Sequence, residues 1–184
     1  MRKLRITEMA RLSVEQFRRA GKLPLTVVLD NVRSQHNIGS VLRTCDAFRI
    51  ECVCLCGITA TPPTAEIHKT ALGAEESVAW RHYDDTREAI EELRRGAEGC
   101  TVYAVEQCAG STLLQDLTLD TGGRYAIVLG NEVKGVQQEV VDLCDGCIEI
   151  PQFGTKHSLN VSVAAGIVIW EFARKISTMI NSSH

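Results

Sequence analysis

Three short stretches of this 184-residue chain combine side chains and glycines in patterns suited to chemistry. The first is Asn37-Ile38-Gly39-Ser40-Val41-Leu42-Arg43-Thr44. A glycine behind a polar residue suits a helix start, where unpaired N–H groups attract anions. Arg43, four residues after Gly39, can turn toward the same mouth. The second stretch is Leu129-Gly130-Asn131-Glu132-Val133-Lys134-Gly135, where two glycines let backbone approach a ligand closely. The third runs from Ile150-Pro151 to Ser158-Leu159-Asn160-Val161-Ser162, a loop feeding an apolar helix. Asn37 and Asn160 bring amide donors and acceptors, and Ser158 a hydroxyl. Taken singly, each has a plainer reading. Arg43 suits a surface ion pair, Glu132 a turn carboxylate, and Ser158 the N-cap of the last helix.

The common nucleotide and hydrolase signatures are missing. The first strand is followed by Asp30-Asn31-Val32-Arg33-Ser34-Gln35 in place of a G-x-G-x-x-G turn. Gly130 and Gly135 have the spacing that opens a Walker A loop, but Val136-Gln137 stands where Lys and Ser/Thr are needed. No G-x-S-x-G nucleophile elbow occurs. Of eight cysteines, only Cys144 and Cys147 have C-x-x-C spacing, and no second pair completes a metal site. Cys52, Cys54 and Cys56 alternate, which puts three thiols on one face of a strand. The expectation is eight reduced thiols, mostly packed as small apolar residues, and no metal.

The elements that must position these residues alternate along the chain. Ser13 and Gln16 form a capping-box pattern for a helix over 13–20. Strands are expected at 25–30, 51–56, 77–83, 101–106, 125–130 and 147–151. Helices are expected at 40–48, 64–71, 85–96, near 136–143, and from Ser158 to about Ile176. Strands spaced by helices predict a single α/β domain with a parallel sheet and helices on both faces. In such folds ligands bind beyond the carboxyl ends of strands, and the three stretches follow strands ending at Asp30, Leu129-Gly130 and Ile150-Pro151.

A chain of this length buries enough surface to need no disulfide or metal. Its 45% hydrophobic and 23% charged residues exclude a largely disordered chain. No apolar run approaches the roughly 20 residues of a membrane helix, and no secretory signal is visible, so a soluble cytoplasmic protein is expected. The net charge of −3 is unevenly spread, with residues 1–22 at +5 and the remainder at −8. A basic arm on an acidic body fits an RNA-contacting edge or simply the solvated face of a short helix.

Taken together and in order, the three stretches resemble the motifs of the SpoU/TrmH family of RNA ribose 2′-O-methyltransferases, in the SPOUT superfamily. The first motif matches at Asn37, Gly39 and Arg43, the second at Leu129 to Glu132, and the third at Ile150-Pro151 and Ser158 to Ser162. The likeness covers about residues 23–175, with 1–22 a basic helical extension and 179–184 a short tail beyond a domain ending near 178. It implies a C-terminal deep trefoil knot, a rare exception to the rule against knotted chains. It also implies S-adenosylmethionine as cofactor, a homodimer with the catalytic site at the subunit interface, and RNA as substrate, tRNA ahead of rRNA. The implied cofactor residues are Gly130, Ile150 and Leu159, completed by Val105 and Glu106. The implied catalytic set is Arg43, Asn37, Glu132, Ser158 and Asn160, with Glu132 orienting Arg43 or a ligand group. Two other readings stay open: an RNA-binding protein of the same fold without turnover, and a methyltransferase of small molecules.

Overall fold

A computed structural model describes residues 1–96, 99–120 and 122–182. After a short 3₁₀ turn at Ile6–Glu8, helix α1 (Val14–Arg19) opens with the reciprocal capping box of Ser13 and Gln16. Strand β1 (Leu23–Asp30), helix α2 (Gln35–Ala47) and strand β2 (Ile50–Cys56) follow. Next come α3 (Ala65–Ala71), α4 (Ala74–Ser77), β3 (Trp80–Tyr83), α5 (Thr86–Arg95) and β4 (Thr101–Val105). The chain closes with β5 (Thr112–Leu113), β6 (Tyr125–Leu129), α6 (Gln138–Val141), β7 (Gly146–Glu149) and α7 (Val161–Ser182). Residues 183 and 184 of the expected tail lie outside the described residues.

All seven strands are parallel, in the order β3-β2-β1-β6-β4-β7-β5. The last strand made, β7, lies between β4 and β5, both of which precede it. One sheet face packs on α2 and α7, through Ile38, Val41, Leu42, Cys45, Ala165, Val168, Ile169 and Phe172. The other packs on α5 and α6, through Ala89, Ile90 and Val140. The interior strand β1 is buried from Leu25 to Asp30, the near-continuous apolar pattern of a strand covered on both faces. Cys54 and Cys56 are buried on the α5 side, and all eight cysteines are free thiols.

Four local expectations change. The second helix starts at Gln35, because Ser34 accepts the Asn37 amide and caps it five residues earlier than expected. Gly39 is therefore inside a helix, one turn past any anion-binding end. A Cβ there would lie 2.2 Å from Thr70 Oγ1 and 2.3 Å from the Ile67 carbonyl, so this glycine lets α3 cross α2 closely. The strand expected over 77–83 is split: Gly73 (φ +93°) restarts a short helix that consumes Ser77, leaving β3 only Trp80–Tyr83. The final helix begins at Val161 and runs on to Ser182. Its cap is Asn160, whose side-chain oxygen accepts the amides of Ser162 and Val163; Ser158 does not cap it. The two-residue β5 has no periodicity by which a sequence could announce it.

Candidate functional site

The carboxyl ends of β4, β6 and β7 converge on one cavity, and hydrogen bonds from loop to loop, including to the end of β1, hold its walls. The first anchor is Asp30, the fully buried last residue of β1. Its carboxylate accepts from Asn31 Nδ2, Thr86 Oγ1, the Gln137 amide and Gln137 Nε2 at 2.7–3.1 Å. Asn131 Nδ2 donates to the Asn31 carbonyl, while Asn131 Oδ1 accepts the Val133 and Lys134 amides. The loop after β6 is thus tied at both ends to β1. Asp30→Asn retains the shape but sets an NH₂ among donors; a loss of about 2 kcal/mol in urea unfolding is expected. An unchanged midpoint and slope would remove Asp30 as an anchor.

The loop also closes on itself. A Cβ on Gly130 would sit 2.1 Å from the Gly135 carbonyl carbon and the Val136 nitrogen. Gly130, which also lines the cavity, thereby lets loop backbone pack against loop backbone. Gly135 has φ +68°, and a Cβ on it would meet Glu106 Oε2 at 2.1 Å. That carboxylate accepts the Val136 amide at 3.2 Å, and its other oxygen accepts the Gln107 amide at 2.8 Å.

Glu132 joins the first motif to the second. Its oxygens accept the amides of Arg33 and Ser34 at 3.0 Å and Asn37 Nδ2 at 3.1 Å. Asn37 Oδ1 in turn accepts Asn160 Nδ2 at 3.1 Å, so an unbroken chain runs Glu132–Asn37–Asn160 into the cap of α7. Within its own chain Glu132 therefore faces the start of α2, through Arg33, Ser34 and Asn37. Partial burial acts to raise its carboxyl, but the surrounding amides and Asn37 prevail and hold it below the usual 4.5. A depressed folded-state value stabilises above the unfolded value and loses that stabilisation as pH falls through the folded one. The melting temperature of wild type should therefore fall more steeply than that of Glu132→Gln on acidification below 4.5. Parallel pH profiles would contradict this.

The cavity holds about 650 Å³, within the roughly 300–1,000 Å³ of small-molecule sites. Of the sequence-derived residues, Val105, Glu106, Gly130, Glu132, Ile150, Ser158, Leu159 and Asn160 line it. Leu129, Ile148 and Val161 add apolar wall, and Gln107 Nε2 holds the far loop through the His157 carbonyl at 2.7 Å. Asn37 reaches the rim only through Glu132 and Asn160. Arg43 is apart: it is exposed and borders a separate hollow with Leu12, Val14 and Phe17 of the N-terminal segment, and with Asp46 and Leu72. Asp30, Asn31, Asn131 and Gln137 are support that sequence reasoning missed; the one available signal was an Asp-Asn pair at a strand end, where polar residues border a buried run.

A parallel sheet with a cavity built from loops beyond its carboxyl edge, floored by backbone and apolar side chains, defines an α/β ligand-binding fold. Residues 24–170 match the SpoU rRNA Methylase family model, and the chain belongs to that family. A tRNA (guanosine(18)-2′-O)-methyltransferase of Thermus thermophilus is 36% identical over 171 residues, which is 92% of this chain and 84% of that protein. The 23S rRNA (guanosine-2′-O-)-methyltransferase RlmB of Coxiella burnetii is 34% identical, over 82% of this chain and 58% of its own length. The crystal structure of the TrmH/SpoU tRNA modifying enzyme of A. aeolicus superposes with a TM-score of 0.78 at 26% identity, covering 93% of this chain and 86% of that one. The AdoMet-bound rRNA methyltransferase of Sinorhizobium meliloti superposes at 0.75 with 29% identity, over 86% and 59% of the two chains. Among the described residues, no helix is long and apolar enough to cross a membrane.

Proposed function

We propose that the protein is an S-adenosylmethionine-dependent RNA methyltransferase that modifies a ribose 2′-hydroxyl. The observation that carries this reading is the Glu132–Asn37–Asn160 chain, which holds the three motifs around one cavity. The cavity suits the cofactor in kind: Val105, Leu129, Ile148, Ile150 and Leu159 offer an apolar wall, and the loop backbones offer amides and carbonyls. When bound, the sulfonium supplies an electrophilic methyl group. The chain's own work is then to hold a 2′-hydroxyl in line and to manage its proton, and positioning of this kind supplies up to about 7–11 kcal/mol. Arg43 acts through its planar guanidinium as a positive fork holding the neighbouring phosphate and the developing oxyanion. Ser158, on the cavity wall, offers a hydroxyl to the substrate side. Glu132, Asn37 and Asn160 are positioning residues. Incubation with S-adenosylmethionine labelled in its methyl group and bulk RNA, followed by nuclease digestion, tests the reading. A 2′-O-methylated nucleoside is expected, and its absence with folded protein would leave an RNA-binding protein without turnover.

The likeness to the Thermus tRNA enzyme across nearly all of this chain favours tRNA as substrate, with rRNA the alternative. The placement of β7 between the earlier β4 and β5 supports a C-terminal trefoil knot, the final segment passing within the β4–β5 connection. The site is shared between two copies of the chain. Arg43 lies away from its own cavity, and α7 leaves Val163, Ile167 and Trp170 exposed at spacings of four and three residues, with Trp170 58% exposed and edge-on to Phe48. An apolar stripe on a helix whose other face is already in the core calls for a partner. Trp170→Glu should convert a dimer to a monomer in sedimentation and abolish methyl transfer. A wild-type protein that sediments as a monomer would refute the shared site.

A further inference from the structure

We propose that Cys108 and Cys147 form a reversible disulfide that places the cofactor cavity under thiol–disulfide control; the functional half of this inference rests on the cavity assignment above. Their sulfurs lie 2.8 Å apart, closer than separate thiols ordinarily pack, and the S–S bond needs about 2.05 Å. The partners come from different segments. Cys147 is in β7 beside Ala104 of β4, and Cys108 is in the loop after β4. Both are partly accessible. The C-x-x-C spacing in the sequence would pair Cys147 with Cys144. In the fold, Cys144 instead turns to the Val140 carbonyl at 3.2 Å.

The pair sits where a bond would be felt. Glu106 is held to β7 twice: its amide donates to the Ile148 carbonyl at 3.1 Å, and its carbonyl accepts the Cys147 thiol at 3.1 Å. The Glu106 carboxylate holds the Val136 amide of the cavity loop. Burial first, then the contact with Cys108, pushes the Cys147 thiol up to about 12, so it remains a proton donor at neutral pH. With the one Cys147 proton directed at the Glu106 carbonyl, Cys108, in the loop after β4, is the sulfur placed to attack. With oxidised glutathione as oxidant, Cys108 loses its proton to solvent and attacks one sulfur, expelling a glutathione thiolate. Cys147 then loses its proton and attacks Cys108, expelling the second. Two thiols are oxidised, one disulfide is reduced, and the two protons end on two glutathione molecules. The bond removes the Cys147 donor from the Glu106 carbonyl and draws the loop toward β7, loosening Glu106 from the cavity loop.

The test uses the full-length protein titrated with oxidised glutathione, then blocked and digested with trypsin. The expected product links the peptide of residues 96–124 to that of residues 135–156. The link should persist in Cys144→Ser and in Cys100→Ser, and vanish in Cys108→Ser and in Cys147→Ser. S-adenosylmethionine affinity, measured by calorimetry, should fall roughly fivefold on oxidation, the equivalent of one lost hydrogen bond, and recover with dithiothreitol. No link in folded wild type, or a link that Cys144→Ser abolishes, overturns the pair. A correct link with unchanged affinity overturns the control. If the reduced protein binds no S-adenosylmethionine, the cavity assignment falls, and the control with it; the peptide map still decides the bond.

Discussion

Arg43→Ala should lower methyl transfer by about 10²–10³-fold or more while leaving S-adenosylmethionine affinity nearly unchanged. The size follows from the removal of a charged donor aimed at developing negative charge. The selectivity follows from position: Arg43 borders the hollow beside α1 and not the cavity that Glu106, Gly130 and Leu159 line. Single-turnover kinetics with saturating cofactor, together with calorimetry on the same preparation, separates the two effects. A folded variant that binds cofactor far more weakly would place Arg43 in the cavity of its own subunit. Arg43→Lys should recover little, since a point charge does not replace a planar fork. If the site is shared, mixing Arg43→Ala subunits with subunits damaged in the cavity should restore activity, about one intact site per mixed dimer.

Gly130→Val is the matching lesion on the cofactor side. Its Cβ alone would lie 2.1 Å from the backbone of Gly135 and Val136, so the loop must open to admit it. Overpacking costs on the order of 1–3 kcal/mol, which in this loop weakens cofactor binding about ten- to hundredfold. The displaced Val136 amide and Gly135 carbonyl are part of the cavity wall, so affinity should fall before the turnover of bound cofactor does. Calorimetry gives the first quantity and saturating-cofactor rates the second. Unchanged affinity would mean that the loop after β6 is not the cofactor's support.

The strands and the two-sided covering of the sheet were legible in residues such as Val27 to Leu29 and Ile127 to Leu129, whose burial on both faces writes a plain apolar run. The amphipathic α5 was equally plain, since its buried Ala89 and Ile90 stand against exposed Glu88, Glu91 and Glu92. The expected start of α2 falls too late because Gly39 behind a polar residue reads locally as a helix start, whereas a crossing α3 is what requires it. That information is tertiary and absent from the local pattern. At the cavity, the glycines and the Ile-Pro strand end gave a position, because turn chemistry is local. The direction in which Glu132 faces was not legible, since its partners Arg33, Ser34 and Asn37 lie almost a hundred residues upstream. Asp30 was hidden for a similar reason: a carboxylate at the end of a strand looks like solvent-facing punctuation until its four donors are in place.

The position of β7 bears on how the molecule matures. Until residues 146–149 are made, β4 keeps an unpaired edge exposed to other chains, and β5, which pairs with β7, has no strand to join. Seating β7 joins elements far apart in sequence, which is intrinsically slow, and the nascent chain is vulnerable to aggregation while it waits. The same segment supplies Ile148, Glu149 and Ile150 to the cavity. On the cofactor assignment proposed for that cavity, binding waits until the carboxyl-terminal segment has been made and seated.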